Sequence, residues 1–257
     1  MFARRSDRTA TIAQPAGLGD WSNGYDGGLQ NRRLGFDSLV RRLIDAVIFD
    51  LDGVLLDSES AWLAAKRAVS DEWGGTWNEE ASRAMLGMSA PEWSAYMRDE
   101  LSIERAAEEI DAEVVRLLLE GYHERLPLLP GAVEAVERLA ARWRLGLASS
   151  SNLEVIDRVM EVSGWGQVFR TWVSSEEVAR GKPAPDVFLE AARRLGVDPA
   201  AAAGVEDSRN GIRAAHEAGL RVIAIPNREF PPGQEALTLA DAVLESLDEL
   251  TPAVVQG

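Results

Sequence analysis

The stretch Asp45-Ala-Val-Ile-Phe-Asp50-Leu-Asp52-Gly-Val decides how the chain folds. Its β-branched and aromatic centre predicts a short buried strand, and the glycine that follows the second acid predicts a turn. Because side chains alternate along a strand, Asp50 and Asp52 are expected on one side, while Leu51 points into the core. The sequence therefore predicts two carboxylates at the end of a buried strand.

The composition excludes several classes of protein. The 257 residues carry a net charge of -15 and are 46% hydrophobic, which suffices for an α/β core and a second, smaller unit. Nucleic acid is not an expected partner, because binding it requires a basic surface. The lack of cysteine excludes disulfides and cysteine nucleophiles. Neither a membrane span nor a secretory signal is recognisable, so we expect a cytoplasmic protein with no membrane partner.

Residues 1–43 differ in composition from the rest of the chain. Six glycines and a proline would interrupt any regular element there, and we expect a mostly disordered N-terminal extension. The segment carries seven arginines against four aspartates. A transit peptide, a tail for an anionic partner and a start site placed too early are the alternatives to a flexible tail.

Helical periodicity dominates residues 58–128. Four of its segments have helical signals and the last of them carries an apolar stripe, which predicts a helical cap domain inserted after the first strand. The core domain is then expected to comprise residues 44–57 and 129–257. The predicted cap helices are Glu59–Trp73, a segment around Glu79–Leu86, Pro91–Leu101 and Ile103–His123.

Helices and strands alternate beyond residue 129. This alternation predicts an α/β fold of Rossmann-like type, with a parallel sheet covered by helices on both faces. The predicted strands are Asp45–Asp50, Arg144–Ala148, Thr171–Ser174, Ala202–Val205, Arg221–Ile225 and a short one near Ala242–Leu244.

Polar residues follow several of these strands. In a parallel sheet, ligands bind beyond the carboxyl ends of the strands, where Asp50, Asp52, Glu206 and Asp207 should converge. Carboxylates held this close repel one another unless a cation lies among them, and Mg²⁺ is the hard divalent ion that we expect. Ordinary turn and helix-cap roles are the alternative for each residue taken alone.

A magnesium site of this kind predicts phosphoryl transfer. One aspartate could attack phosphorus, and the other could donate and later accept a proton. Ser149 begins a hydroxyl run at a predicted helix N-terminus, which could hold a phosphate or simply cap the helix. Lys182, one of only two lysines, lies between a glycine and a proline. Its compact ammonium suits a site that is shared by a carboxylate and a phosphoryl group.

Four ordered motifs resemble those of the haloacid dehalogenase-like (HAD) superfamily. They are Asp50-Leu-Asp52-Gly-Val, then Ser149, then Gly-Lys182-Pro-Ala-Pro-Asp, and finally Glu206-Asp207 in Gly-Val-Glu-Asp-Ser. The likeness covers about residues 44–250 and is greatest to sugar-phosphate phosphatases and β-phosphoglucomutases with a helical cap.

The resemblance implies a role for each matched residue. Asp50 would form an aspartyl-phosphate and Asp52 would act as the acid/base. The phosphoryl group would be held by Ser149, Ser150 and Lys182. The implied Mg²⁺ site comprises Asp50, the backbone carbonyl of Asp52, Glu206 close by, and Asp207.

Departures from the family pattern favour hydrolysis. Asp52 is the second aspartate that the metal-independent dehalogenases lack. Trp62 stands where β-phosphoglucomutases carry a cap histidine, Leu86–Pro91 lacks their arginine, and Val115-Arg-Leu-Leu-Leu119 lacks the lysine that is expected there. We therefore expect a phosphatase acting on a small phosphorylated metabolite, such as a sugar or polyol phosphate. A mutase and a non-catalytic phospho-ligand-binding relative are the alternatives.

The remaining candidate residues are in the cap and in later helices. Trp62 either packs in the cap core or lines the substrate pocket. A Schiff-base role would need a cap lysine, and Lys66 is interpreted instead as a solvated surface charge. His123 and His216 are interpreted as structural. A monomer or weak homo-oligomer is expected.

Overall fold

A single parallel sheet organises the protein. In the computed structural model, which describes residues 43–85, 88–228 and 231–257, six strands pair in the order β3-β2-β1-β4-β5-β6, and every pairing is parallel. The predicted α/β class with a parallel sheet is thereby confirmed. The strands are β1 (Ala46–Phe49), β2 (Arg144–Ser149), β3 (Phe169–Ser174), β4 (Ala202–Glu206), β5 (Arg221–Ala224) and β6 (Ala242–Val243).

The first strand is buried on both faces. Val47 and Phe49 belong to one hydrophobic cluster, whereas Ala46 and Ile48 belong to the cluster on the opposite face. This alternation explains why β1 is apolar throughout, as expected for a strand covered by helices on both sides. Strand β1 lies between β2 and β4, with Phe49 in register with both Leu147 and Val205. The carboxyl ends of these three central strands therefore meet at one edge.

Helices cover the two faces of the sheet. Apolar residues of α5 and α6 join the cluster of Phe49, and those of α7 and α8 join the cluster of Ile48. The core helices are α5 (Ala132–Ala140), α6 (Leu153–Val162), α7 (Asp186–Leu195), α8 (Arg209–Glu217), α9 (Gln234–Leu237) and α10 (Pro252–Gln256).

Four helices follow β1 before the chain returns to the core. They pack on one another through α1–α4 and α3–α4 contacts, and α4 also contacts α6 of the core. The four helices of this cap are α1 (Glu59–Glu72), α2 (Glu79–Ala84), α3 (Ala90–Asp99) and α4 (Ala107–Glu124).

The exact division into cap and core stays a prediction. The predicted disorder of residues 1–43 falls, except for Leu43, outside the described residues. No helix of the described residues is both long enough and apolar enough to cross a membrane.

One helix boundary was predicted wrongly. The structure begins α4 at Ala107, not at Ile103. Ser102 has a φ of 59°, which turns the chain away from a helical path, and the Glu109 carboxylate accepts a hydrogen bond from the Ala106 amide at 3.1 Å. Ile103 is still buried, so its place in the apolar stripe reflected tertiary packing and not helix membership.

Candidate active site

Lys182 links the ends of two central strands. Its ammonium donates hydrogen bonds of 2.6 Å to Asp50 Oδ1 and of 2.6 Å to Glu206 Oε1. The Lys182 side chain is only 5% exposed, and its bond to Pro183 is cis. Burial opposes the charge of Lys182, but the carboxylates of Asp50 and Glu206 outweigh it and raise the pKa of this lysine. The ammonium therefore stays protonated at neutral pH.

Glu206 is fixed by the turn that follows β4. Its Oε2 accepts hydrogen bonds from the Asp207 amide at 2.9 Å and from the Ser208 amide at 3.1 Å. The start of α8 approaches so closely that a Cβ on Gly211 would lie 1.6 Å from Glu206 Oε1. Since both carboxylate oxygens of Glu206 already have donors, this residue orients Lys182.

Three carboxylates cluster at this edge. Ligand oxygens of Asp50, Glu206 and Asp207 lie within 4.8 Å of one another, and all three residues are buried. Gly53, whose φ is 77°, allows the close approach of Asp207, because a Cβ there would lie 2.1 Å from Asp207 Oδ2. Burial and the neighbouring carboxylates raise the pKa of both Asp50 and Asp207, because Lys182 alone cannot neutralise the cluster.

The second aspartate lies between the core and the cap. Asp52 Oδ1 accepts hydrogen bonds from the Ser58 hydroxyl and from Trp62 Nε1, the latter at 3.4 Å. Asp52 Oδ2 accepts from Ser151 Oγ at 2.5 Å and from Ser149 Oγ at 3.3 Å. The carboxylate thus touches both the residues that lead into α1 and the loop after β2.

The predicted phosphate-binding serines have different positions. Ser149 is fully buried, and its oxygen also accepts a hydrogen bond from the Ser151 amide at 3.0 Å. Ser150, in contrast, lines the cavity together with Ser151. Contact of Ser149 or Ser150 with a phosphoryl group stays a prediction.

A cavity of about 380 Å³ separates the acidic edge from the cap. Its floor includes Asp50, Lys182 and Asp207. Trp62 is 8% exposed and forms part of the opposite wall, so it both packs in the cap and faces the cavity. The other cap residues of that wall are Ser58, Glu59, Lys66, Met85, Met88 and Trp93.

The prediction that Lys66 is a solvated surface charge was wrong. Lys66 is 5% exposed, and its Nζ lies 5.5 Å from the ring centroid of Trp62 and 4.9 Å from that of Trp93. It follows Trp62 by four residues on α1 and therefore shares its face, whereas Arg67 is exposed. The four-residue spacing was the signal that could have identified it.

Sequence reasoning missed three further polar residues of the site. Ser58 occupies the N-cap position of α1, but its hydroxyl binds Asp52 and does not cap the helix. Ser151 and Asn152 lie in the hydroxyl-rich loop after β2, where only the preceding serines were singled out. Their local sequence was typical of helix capping, so nothing in it specified contact with Asp52 or the cap. His123 and His216 are exposed on α4 and α8 and do not line the cavity.

Fold and site together define a class of protein, namely the capped α/β enzymes with a carboxylate cluster at the carboxyl ends of parallel strands. A family model described as haloacid dehalogenase-like hydrolase matches residues 44–219. The chain belongs to this family, as its sequence motifs suggested. The family match and the relatives named as phosphatases support an enzyme that hydrolyses phosphoric monoesters.

Individual relatives agree with this assignment. Hexitol phosphatase B of Escherichia coli (strain K12) is 35% identical over 223 residues, which cover 84% of this chain and 98% of the relative. The bifunctional riboflavin kinase/FMN phosphatase of Arabidopsis thaliana is 31% identical over 81% of this chain. This chain spans only 55% of the length of that relative. The crystal structure of CbbY from Rhodobacter sphaeroides in complex with phosphate superposes with a TM-score of 0.76 at 28% identity, covering 84% of this chain and 100% of the neighbour.

Proposed function

We propose that this protein is a Mg²⁺-dependent phosphatase that hydrolyses a small phosphorylated metabolite, such as a sugar or polyol phosphate, through an aspartyl-phosphate on Asp50. The observation that carries the proposal is the contact of Lys182 with both Asp50 and Glu206 at the floor of the capped cavity. A nucleophilic carboxylate beside a fixed cation is suited to attack on a phosphoryl group.

The acidic edge fits a divalent cation. Lys182 contacts only two of the three buried carboxylates, and the second oxygen of Asp50 and both side-chain oxygens of Asp207 accept no hydrogen bond from a described residue. Mg²⁺ prefers such oxygen ligands. Asp50 and Asp207 would hold the ion, with the Asp52 carbonyl, and Glu206 would stay close by. The ion would neutralise negative charge on the phosphoryl oxygens.

The first half-reaction would use both aspartates of the first motif. A carboxylate oxygen of Asp50 attacks phosphorus, so that a carboxylate-oxygen–phosphorus bond forms and the bond to the leaving oxygen breaks. Lys182, which contacts Asp50, would face the negative charge on the phosphoryl oxygens during this attack. Asp52 gives its proton to the leaving oxygen, which departs as an alcohol.

The second half-reaction would return the enzyme to its starting state. Asp52 takes a proton from water as the water oxygen attacks phosphorus. The bond between Asp50 and phosphorus breaks, and phosphate leaves. The Ser58 hydroxyl and the Trp62 indole, both donors to Asp52, would hold its carboxylate toward the cavity during these transfers.

The proposed substrate class rests on the cavity and on the relatives. The volume of about 380 Å³ suits a metabolite and not a polymer, and its cap wall carries two indole rings. A hexitol phosphatase and an FMN phosphatase are among the relatives, so small organic phosphates are the class that they share. A mutase remains the second candidate, because solved β-phosphoglucomutase-like neighbours share the fold.

Phosphate release from a panel of phosphorylated metabolites, with Mg²⁺ or with a chelator, tests the proposal. We expect turnover with Mg²⁺, loss of turnover with chelator, and no measurable turnover in Asp50→Asn. The control is Asp45→Asn, at the exposed other end of the same strand, and it should retain activity. Turnover that survives the chelator would refute the metal requirement. Conversion of β-glucose 1-phosphate to glucose 6-phosphate without phosphate release would favour the mutase.

A further inference from the structure

Lys66 is a buried cation without an ion-pair partner. Among the described residues no carboxylate oxygen lies within 4.0 Å of its Nζ, and the ion pairs of lysine all belong to Lys182. The ammonium lies beside the rings of Trp62 and Trp93, and all three residues line the cavity. Aromatic faces attract a cation but do not accept ordinary hydrogen bonds from its three N–H groups. These donors are therefore available to a ligand.

A second unused polar atom lies beside the same cavity. Asn152 is 5% exposed and lines the cavity, and its Oδ1 is buried without a hydrogen-bond partner. Its Nδ2 is fully engaged, since it donates to Asp111 at 3.1 Å and to Glu176 at 3.0 Å. These two carboxylates fix the orientation of the Asn152 amide, and its Oδ1 accepts no hydrogen bond. A buried acceptor without a donor is costly unless a ligand supplies one.

The charges around Lys66 decide what kind of ligand fits. The groups whose charge reaches it are Glu59 on its own helix, Asp52 after β1 and Asp111 on α4, and all of them are carboxylates. Three acids around one ammonium leave no surplus of positive charge, so a second phosphate or a carboxylate on the substrate would be repelled. A hydroxyl group, which both donates and accepts, can satisfy Asn152 Oδ1 as well as Lys66.

We propose that Lys66, beside Trp62 and Trp93, determines specificity by binding hydroxyl oxygens of a neutral polyhydroxylated leaving group, with Asn152 Oδ1 accepting from the same group. This inference rests on the proposed phosphatase activity and deepens it. Lys66 is a binding residue and takes no part in the transfer of phosphorus. The indole rings pack against the carbon face of the leaving group, and the subsite discriminates against bisphosphates.

The test compares substrates that differ only in their hydroxyl groups. We would measure kcat and KM for a hexitol 6-phosphate, for hexyl phosphate and for a hexose bisphosphate. The wild type should favour the hexitol phosphate over each of the other two by about 10-fold or more in kcat/KM. Lys66→Met should lower kcat/KM for the hexitol phosphate by about 10- to 100-fold, mostly through KM, and should leave it with little preference over hexyl phosphate.

Matched variants and pH separate binding from a structural role. Arg67→Met removes the adjacent but exposed cation and should keep the wild-type preference. Burial lowers the pKa of Lys66 to about 8, so the preference for the hexitol phosphate should decline above that pH as the ammonium loses its proton. Lys66→Arg should retain part of the preference and lack this decline, because arginine stays protonated.

Two results would overturn the inference. One is a wild type that hydrolyses hexyl phosphate or the bisphosphate as well as the hexitol phosphate, and this result does not depend on whether any variant folds. The other is a folded Lys66→Met with an unchanged substrate preference. Both leave the phosphatase proposal intact, whereas absence of phosphate release from every substrate would refute that proposal itself.

Discussion

The two lysines of this chain are both buried at one cavity, yet they are held in opposite ways. Lys182 at the core edge donates 2.6 Å hydrogen bonds to two carboxylates, whereas Lys66 in the cap lies 5.5 Å and 4.9 Å from the ring centroids of Trp62 and Trp93. The pKa of Lys182 is raised and that of Lys66 is lowered. Burial opposes the charge of both ammonium groups, and only contact with carboxylates reverses its effect.

This difference indicates that the core edge and the cap have different functions. The core edge keeps a permanent cation in fixed geometry, as transfer of a phosphoryl group requires. The cap wall offers Lys66, whose N–H groups donate no hydrogen bond to a described residue and whose pKa is lowered. Chemistry is therefore expected to depend on the core lysine, and selection of the leaving group on the cap lysine.

Breaking the core contact should have the largest effect. Lys182→Met would leave Asp50 and Glu206 buried without a cation, and we expect the free energy of unfolding to fall by about 3–5 kcal/mol. Turnover should be lost. Lys182→Arg keeps the charge, but its planar fork cannot reproduce the two short contacts, so turnover should also fall sharply. Denaturant unfolding and phosphate release measure the two effects.

The control for Lys182 is a cation in the same loop. Arg180 pairs with Asp186 at 3.0 Å, but its side chain is 70% exposed. Arg180→Gln should leave the free energy of unfolding nearly unchanged and retain turnover, because solvent screens an exposed ion pair. If the variants of Lys182 and Arg180 lost equal amounts of stability and turnover, the burial of Lys182 would not explain its importance.

A methyl group added at Gly211, next to Glu206, should have an intermediate effect on stability and turnover. A Cβ on Gly211 would overlap the Glu206 carboxylate, so Gly211→Ala should cost about 1–3 kcal/mol of unfolding free energy and lower turnover through Lys182. The matched variant is Gly121→Ala in α4 of the cap, where no atom lies within 4 Å of the added methyl group. It should be neutral or stabilising by up to about 1 kcal/mol. A fully active Gly211→Ala would contradict the tight fit of the core edge.

The smallest predicted effect is a pH dependence that Lys66 adds to stability. Its pKa is about 8 in the folded protein against the ordinary lysine value of 10.5. Between these values the unfolded chain binds the extra proton, so the contribution of Lys66 to stability grows as pH rises and is lost as pH falls toward 8. The free energy of unfolding of the wild type should therefore rise relative to that of Lys66→Met across this range.

Thermal and denaturant unfolding at several pH values measures that difference. Arg67→Met supplies the flat reference, because arginine does not titrate in this range. A difference between wild type and Lys66→Met that is constant with pH would mean that Lys66 keeps its ordinary pKa in the folded protein.

The core edge was largely predictable from sequence, because its residues follow directly from topology. Parallel strands end together, so Asp50, Glu206 and Asp207 had to converge once the alternation of strands and helices was recognised. The environment of Lys66 was not predictable in the same way. Its burial depends on Trp93, which α3 brings against α1, and no local pattern specifies how two helices pack.

The contact between Asn152 and Asp111 illustrates the same limit. Asp111 lies on α4 of the cap, and Asn152 precedes α6 of the core. Each residue alone is typical of a helix surface or a helix cap. Their hydrogen bond exists because α4 packs on α6, which sequence periodicity does not determine.

If Asp50 receives the phosphoryl group, acid quenching during turnover should trap the phosphorylated enzyme. A substrate labelled in its phosphoryl group is mixed with enzyme and Mg²⁺, the reaction is stopped in acid, and the peptide that contains Asp50 is isolated. We expect label on Asp50 in the wild type and in Asp45→Asn, and none in Asp50→Asn. Rapid phosphate release by Asp50→Asn, or label on another residue, would contradict it.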